Sequence, residues 1–392
     1  MRRRVLHVLA NLGAGGAERM AVHIVLGLDR RRFEPAIVAY SARYGSDLEQ
    51  HLDQAGVKTW FLGKGPGFDP RTYYRLHRVF REFRPDIVHT HVHVMRYAFP
   101  SLMYFKPRLM VHTVHNLAEC EIEPRARWLQ RLAYGRGVIP VAVAREVAFS
   151  VERVYGIGNC RVVWNCIPTE LYGSPRVPRD IWRGRQGFSP DDILFVCVAR
   201  FAAQKNHLLL ISAFARGPAA NPNAHLVLAG QGVLRAELQK RVNELGLTNR
   251  VHFLGLRRDI PDVLGAADIF ALSSDYEGNP LSVIEAMAAG LPVISTVAGG
   301  VPELLQNGKE GFIVQPGRVE EFSEAMMTLL NDPTLRRSMG SSAAARAREN
   351  FDVSAMVRAY EELYDEMPAR SRMWDRFHFG HKSTATREHI GG

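Results

Sequence analysis

Glu277 and Glu285 flank a short turn, Gly278-Asn279-Pro280. The apolar run Ile269-Phe270-Ala271-Leu272 before them reads as a buried strand. Pro280 suits the first turn of a helix, where its missing N–H would have had no partner. Leu281, Ile284 and Ala288 continue at helical spacing. Glu277 therefore belongs to a strand-to-helix loop and Glu285 to the helix after it. Between them the N–H groups of Leu281 and Ser282 point out of a helix N-terminus, whose partial positive charge favours phosphate. Two carboxylates beside an anion site suit a phosphorylated sugar. The acids accept hydrogen bonds from hydroxyls, and the amides hold the phosphate. Asn279, in the turn, is a candidate binding residue with them. Taken alone, the pair reads equally well as two surface glutamates.

Other chemistry-bearing residues fall at strand ends. Arg200 and Lys205 follow the run Ile193–Ala199 and can converge on one diphosphate, Arg as a planar fork and Lys as a point charge. Without a metal, such cations would neutralise a departing diphosphate; two exposed surface cations is the plainer alternative. After the first apolar run, Val5–Ala10, comes Gly13-Ala14-Gly15-Gly16-Ala17-Glu18. The third glycine of a dinucleotide fingerprint is replaced by Glu18, which weighs against a nicotinamide or flavin site. Gly15 and Gly16 still allow backbone to approach a phosphate, or simply form a tight turn. His115, at the end of Leu109–Val114, can face a cleft, whereas His112 alternates within the strand and packs there. Asn165 ends Val162-Val163-Trp164. Gly299-Gly300-Val301-Pro302-Glu303 is a second glycine-rich turn opening a helix. No Asp-x-Asp and no His/Cys cluster has ligand spacing, so no metal is expected.

These residues need elements to hold them. Strand and helix patterns alternate through both halves of the 392 residues, which predicts an α/β fold of two doubly wound parallel sheets. The expected division is a first Rossmann-like domain over 1–172, a linker over 173–190, a second Rossmann-like domain over 191–352, a last helix over 353–367 and a polar basic tail over 368–392. Pro100 is expected to break the apolar-aromatic stretch Val94–Phe105. Two sheets joined by a linker make a cleft, and ligands of such sheets bind beyond the carboxyl ends of the strands.

Composition narrows the classes further. No run of 18 apolar residues suggests a membrane span. The four cysteines form no paired or metal-binding framework, which points to a reducing cytoplasm. A formal charge of +10 favours anionic partners, but no nucleic-acid motif accompanies it. Arg71, Arg75, Arg78 and Arg81 stand among Tyr73, Tyr74, Leu76, Val79 and Phe80. That stretch suits peripheral contact with the inner face of an anionic membrane. The plainer reading is a solvated helix face.

Arg200-x4-Lys205, Glu277-x7-Glu285, Gly15-Gly16-Ala17-Glu18 and Gly299-Gly300-Val301-Pro302-Glu303 occur in this order across the two halves. The set resembles glycosyltransferase family 4, the retaining GT-B enzymes, and Asn165-Cys166-Ile167-Pro168 resembles that family's Asn-Gly-Ile-Asp stretch. The resemblance runs from about Val5 to Met367. It implies a GT-B fold and transfer of a sugar from a UDP- or GDP-linked donor to a glycan or lipid-linked acceptor, in polysaccharide or cell-surface glycan synthesis, without metal or other cofactor. It also implies roles at the matching positions. Glu285 would bind the donor ribose, and Glu277 the donor sugar's hydroxyls. Arg200 and Lys205 would hold the diphosphate with the Gly15-Gly16 backbone. His115 would contact the donor sugar, and backbone near Leu256 would meet the base. Two departures bear on the donor sugar: Gly278-Asn279-Pro280 replaces Gly-Phe-Gly, and Cys166 and Pro168 replace Gly and Asp. The alternatives are a nucleotide-sugar epimerase or hydrolase of the same fold, and a non-catalytic nucleotide-sugar-binding assembly protein.

Overall fold

The computed structural model describes residues 2–13, 15–158 and 160–366; the tail expected over 368–392 lies outside them. Two parallel sheets carry the chain. The first has seven strands in the order β3-β2-β1-β4-β5-β6-β7: β1 Arg3–Leu9, β2 Phe33–Ala39, β3 Lys58–Phe61, β4 Ile87–His91, β5 Leu109–Val114, β6 Val138–Ala142 and β7 Arg161–Val162. The second has six, in the order β10-β9-β8-β11-β12-β13: β8 Ile193–Val198, β9 Ala224–Ala229, β10 Val251–Gly255, β11 Ile269–Leu272, β12 Val293–Thr296 and β13 Gly311–Val314. Their near-continuous apolar runs are what a sheet covered by helices on both faces requires. Each sheet reverses its strand order once, between β1 and β4 and between β8 and β11. Ligands of such sheets bind at the crevice outside these reversal points.

Two local expectations are corrected. The stretch Val94–Phe105 is not broken: Met95–Phe105 forms one helix through Pro100. The proline costs the N–H that would have bonded the carbonyl of residue 96. Both Arg96 and Pro100 are exposed, so water can serve that carbonyl, while Met95, Ala98 and Leu102 bury the opposite face. The stretch read as linker holds an ordered helix, Arg179–Gln186. Arg183 pins it to the second domain, although its composition gives no apolar stripe. Its guanidinium is 1% exposed. It donates to the carbonyls of Ala266 (2.9 Å), Pro190 (2.9 Å) and Asp192 (2.8 Å) and to the Asp268 carboxylate (2.6 Å). A buried cation needs such complete pairing.

The last helix, Val353–Asp365, lies against the first helix, Gly16–Gly27. Tyr360 and Tyr364 point from it into the first sheet, both at most 2% exposed. Arg32 pairs with Glu361 at 2.9 Å on the rim. The last helix is thereby part of the first domain's core.

Candidate functional site

The two carboxylates sit at the mouth between the sheets, and each is paired through one oxygen. Glu277, in the loop after β11, is 5% exposed. Its Oε1 accepts from Lys205 Nζ at 2.5 Å and from Ser274 Oγ at 2.6 Å. Thr296, at the end of β12, donates to the Ser274 carbonyl at 2.5 Å and so fixes that serine. Glu285, on the helix Leu281–Ala288, is 1% exposed. Its Oε1 accepts from Tyr172 Oη at 2.9 Å and forms a short ion pair with Arg19. In both cases Oε2 takes none of these bonds.

Three segments of the first domain reach this mouth. The Gly15-Gly16 turn lies against the N-terminus of the Leu281 helix, with Leu281 Cδ1 3.5 Å from where a Gly16 Cβ would stand. The first two N–H groups of that helix have no acceptor of their own. At the end of β5, His115 meets the second domain directly. A Cβ on Gly278 would stand 2.0 Å from the His115 carbonyl oxygen, so only glycine permits this backbone approach. Asn165 donates from Nδ2 to the Asn279 carbonyl at 2.8 Å. The Asn279 carboxamide is 4% exposed, and neither its Oδ1 nor its Nδ2 has a hydrogen-bond partner among the described residues. A buried polar group without a partner costs about 1–3 kcal/mol. The orphaned group stands next to the N-terminus of the Leu281 helix.

Two predicted residues are placed less tightly. Arg200 is exposed and makes no ion pair among the described residues. Its charge still reaches Glu18, whose carboxyl burial pushes upward while Arg200 draws it down. Leu256 follows β10 at the rim, 58% exposed.

The family description "Glycosyltransferase Family 4" matches residues 14–171, and "Glycosyl transferases group 1" matches residues 178–346. The chain belongs to the group 1 glycosyltransferases. It is 26% identical to the N-acetyl-alpha-D-glucosaminyl L-malate synthase of Bacillus anthracis over 80% of this chain and 83% of that one. It is 26% identical to the UDP-Gal:alpha-D-GlcNAc-diphosphoundecaprenol alpha-1,3-galactosyltransferase of Escherichia coli over 76% and 80%. In fold it is similar to HepE of Anabaena, solved with UDP and glucose, at a TM-score of 0.83, 21% identity and coverage of 93% and 100%. The two-sheet GT-B architecture is shared with HepE and with WaaG, a solved glycosyltransferase involved in lipopolysaccharide biosynthesis, at a TM-score of 0.73, 17% identity and coverage of 92% and 99%.

Reasoning from motifs missed several partners in this glycosyltransferase. Arg19 directly follows the Gly15–Glu18 motif, yet nothing local says that it meets Glu285, 266 residues on. Tyr172, the third member of that group, sat at the edge of the expected linker. Glu303 closes the second glycine-rich motif and crosses to the first domain. Its carboxylate accepts from Arg145 N–H at 2.7 Å, capping the helix Arg145–Tyr155, and from Trp164 Nε1 at 2.9 Å. The spacing rule also missed a group of three imidazoles, His7, His89 and His91, whose possible ligand atoms lie within 4.8 Å of one another. They come from β1 and β4, adjacent in the sheet but far apart in sequence. Every ring nitrogen of the three has a hydrogen-bond partner.

Burial pushes His7, His112 and His115 down to about 3. Below their ordinary value of 6.5 the unfolded chain takes up protons that the folded chain refuses. Stability therefore falls as pH drops from about 6.5 toward 3, by about 1.4 kcal/mol per pH unit for each group. Glu121, which accepts the His115 N–H at 2.9 Å, is pushed by burial to about 8. It acts with the opposite sign above its ordinary 4.5, as does Glu18, but burial also pushes His23, His207 and His252 down to about 4, so the histidines outnumber the acids. The urea midpoint at pH 5 is expected to lie well below that at pH 7; an equal or higher midpoint at pH 5 would show that these histidines titrate freely.

Proposed function

We propose that this glycosyltransferase moves a sugar from a nucleotide-diphosphate sugar, UDP- or GDP-linked, to a glycan or lipid-linked acceptor, with retention of configuration and without a metal. The observation that carries this is the mouth itself. Two buried carboxylates each offer one oxygen, on either side of a helix N-terminus that holds an unsatisfied buried carboxamide. Glu285 takes the nucleotide ribose through Oε2, within reach of the Arg19 and Tyr172 contacts that orient it. Glu277 takes hydroxyls of the donor sugar beside the reacting carbon. The Leu281 and Ser282 amides, Lys205 and, from the rim, Arg200 balance the negative charge that develops on the departing diphosphate. The UDP-linked galactose in the name of the Escherichia coli relative and the UDP in the HepE complex support UDP as the first nucleotide to try.

The test is transfer in the presence of a chelator, with the new linkage read by NMR. Full activity in excess EDTA and a product anomer matching the donor are expected. Loss of activity that a divalent ion restores would refute the metal-free reading, and an inverted anomer would refute retention.

For the acceptor we propose that the exposed basic face of the first domain meets an anionic membrane. The apolar half of the earlier expectation is corrected: Leu76, Val79 and Phe80 are buried in the core under the helix Arg71–Phe83. Arg75 donates to the Leu62 carbonyl at 2.5 Å. What remains outward is Arg71, Arg78 and Arg81 with Tyr74 (66% exposed) and Tyr104 (72%). Cations beside amphipathic aromatics suit a headgroup layer. Among the described residues no helix is long and apolar enough to cross a membrane. Co-sedimentation with phosphatidylglycerol vesicles at low salt is expected, and it should weaken when Arg71, Arg78 and Arg81 become Ser. Equal binding by that variant, or none by the native protein, would remove this face from the account.

A further inference from the structure

The helices Gly16–Gly27 and Leu281–Ala288 meet across the domain boundary, one turn of each against the other. Gly16 and Arg19 are three residues apart, and Leu281 and Glu285 four, so each pair shares one face of its helix. Gly16 faces Leu281, since a Cβ on it would stand 3.5 Å from Leu281 Cδ1. One turn on, Arg19 forms its ion pair with Glu285. Tyr172 closes the group from the short helix Thr169–Gly173. That helix rides on the Glu285 helix: a Cβ on Gly173 would stand 3.5 Å from the Ala288 carbonyl oxygen.

Every bond in the group has a fixed direction, because a guanidinium only donates and a carboxylate only accepts. Arg19 Nη2 donates to Tyr172 Oη at 2.7 Å and also to Glu285 Oε1. Tyr172 therefore accepts from Arg19 and donates its single proton to Glu285 Oε1, at 2.9 Å. The cation comes from the first domain and the carboxylate from the second. The Glu285 side chain is 2% exposed and that of Arg19 26%. Among the described residues, the other ion pair between the domains is Arg258–Asp47 at 3.4 Å, with side chains 74% and 47% exposed. Such an exposed pair contributes little, whereas removing one partner of a buried pair leaves the other charge uncompensated. Glu303 and Asn165 also bond across the boundary, but neither bonds Glu277 or Glu285.

We propose that Arg19 is a positioning residue that fixes Glu285 across the domain boundary, so that nucleotide binding by the second domain depends on the first domain being docked against it. This rests on the reading of Glu285 as the ribose carboxylate. With the domains docked, Oε1 is held by Arg19 and Tyr172 together. With the domains apart, it keeps Tyr172 alone. Nucleotide binding and docking are then linked, and each strengthens the other by the same factor. Apparent affinity follows the docked fraction.

The test is small-angle X-ray scattering beside calorimetric titration with UDP and with GDP. It compares the full-length native protein with Arg19→Met, Tyr172→Phe and Arg258→Ser. Without nucleotide, Arg19→Met is expected to have a larger radius of gyration than the native protein, and saturating nucleotide should restore the native value. Its affinity for that nucleotide should fall about tenfold or more, within the usual span of couplings between sites. Turnover at saturating donor should fall by less. Tyr172→Phe, which keeps the ring and every charge, should move both readouts the same way by a smaller amount. Arg258→Ser should match the native protein. An Arg19→Met protein as compact as the native one, or one that is expanded yet binds nucleotide as tightly, would overturn the proposal. So would a Tyr172→Phe protein with native compactness and affinity. A native protein that binds neither nucleotide, while Arg19→Met is still expanded, would instead overturn the reading of Glu285 as a ribose ligand.

Discussion

Replacing Gly278 by alanine is expected to cut turnover by about 10² or more, because misplacing reacting groups by about 1 Å can cost that much. The methyl group would stand 2.0 Å from the His115 carbonyl oxygen, 2.8 Å from its carbon and 3.2 Å from Asn116 Cα. All three are backbone atoms and cannot swing aside as a side chain would. His115 N–H is tied to Glu121 at 2.9 Å, so its strand end is held from behind. The loop that carries Glu277 must then move, and the distance between Glu277 and His115 changes. Nucleotide affinity should change much less, since Glu285 sits on the helix beyond the turn. Steady-state rates beside a nucleotide titration check this. A Gly278→Ala enzyme within fivefold of the native rate would mean that the two domains do not meet through this contact during turnover.

Lys205→Met carries the second large effect. The lysine is 18% exposed and holds Glu277 from the second domain. Its removal takes away the cation nearest the proposed leaving group and leaves Glu277 with Ser274 alone. Loss of one charge-stabilising donor costs about 10²–10³ in kcat. Lys205→Arg should recover little, because a planar fork does not replace a compact ammonium in a half-buried site. Single-turnover rates on saturating donor are the readout. A variant that loses only affinity, with its rate intact, would make Lys205 a ground-state binder.

Much of this site could be read from local pattern. Apolar runs and the turns after them place the strands that lead into the site: Gly15 and Gly16 follow β1, His115 follows β5, Lys205 follows β8 and Glu277 follows β11. Turn chemistry at Asn279-Pro280 places the helix that carries Glu285. What stayed hidden depends on how distant segments dock. Arg19 finds Glu285, Glu303 finds the Arg145 helix and Tyr364 finds His7 only after the two sheets and the last helix come together. No period in the chain encodes those distances. Arg183 was hidden for another reason. Its segment looks like a linker because its anchor is one fully bonded guanidinium, not an apolar stripe. Pro100 misled because a proline is tolerated in a helix when the carbonyl it strands faces water.

Nucleotide release across a panel of UDP-, GDP- and ADP-sugars, by the native enzyme and by Glu277→Ala and Glu285→Ala, probes the assignment most directly. One nucleotide class should be released by the native enzyme. Glu285→Ala should raise the dissociation constant for that nucleotide, and Glu277→Ala should bind it normally but release it far more slowly. If the native enzyme turns over no donor, or if Glu277→Ala binds nucleotide weakly and reacts at the native rate, the roles given to the two carboxylates are contradicted.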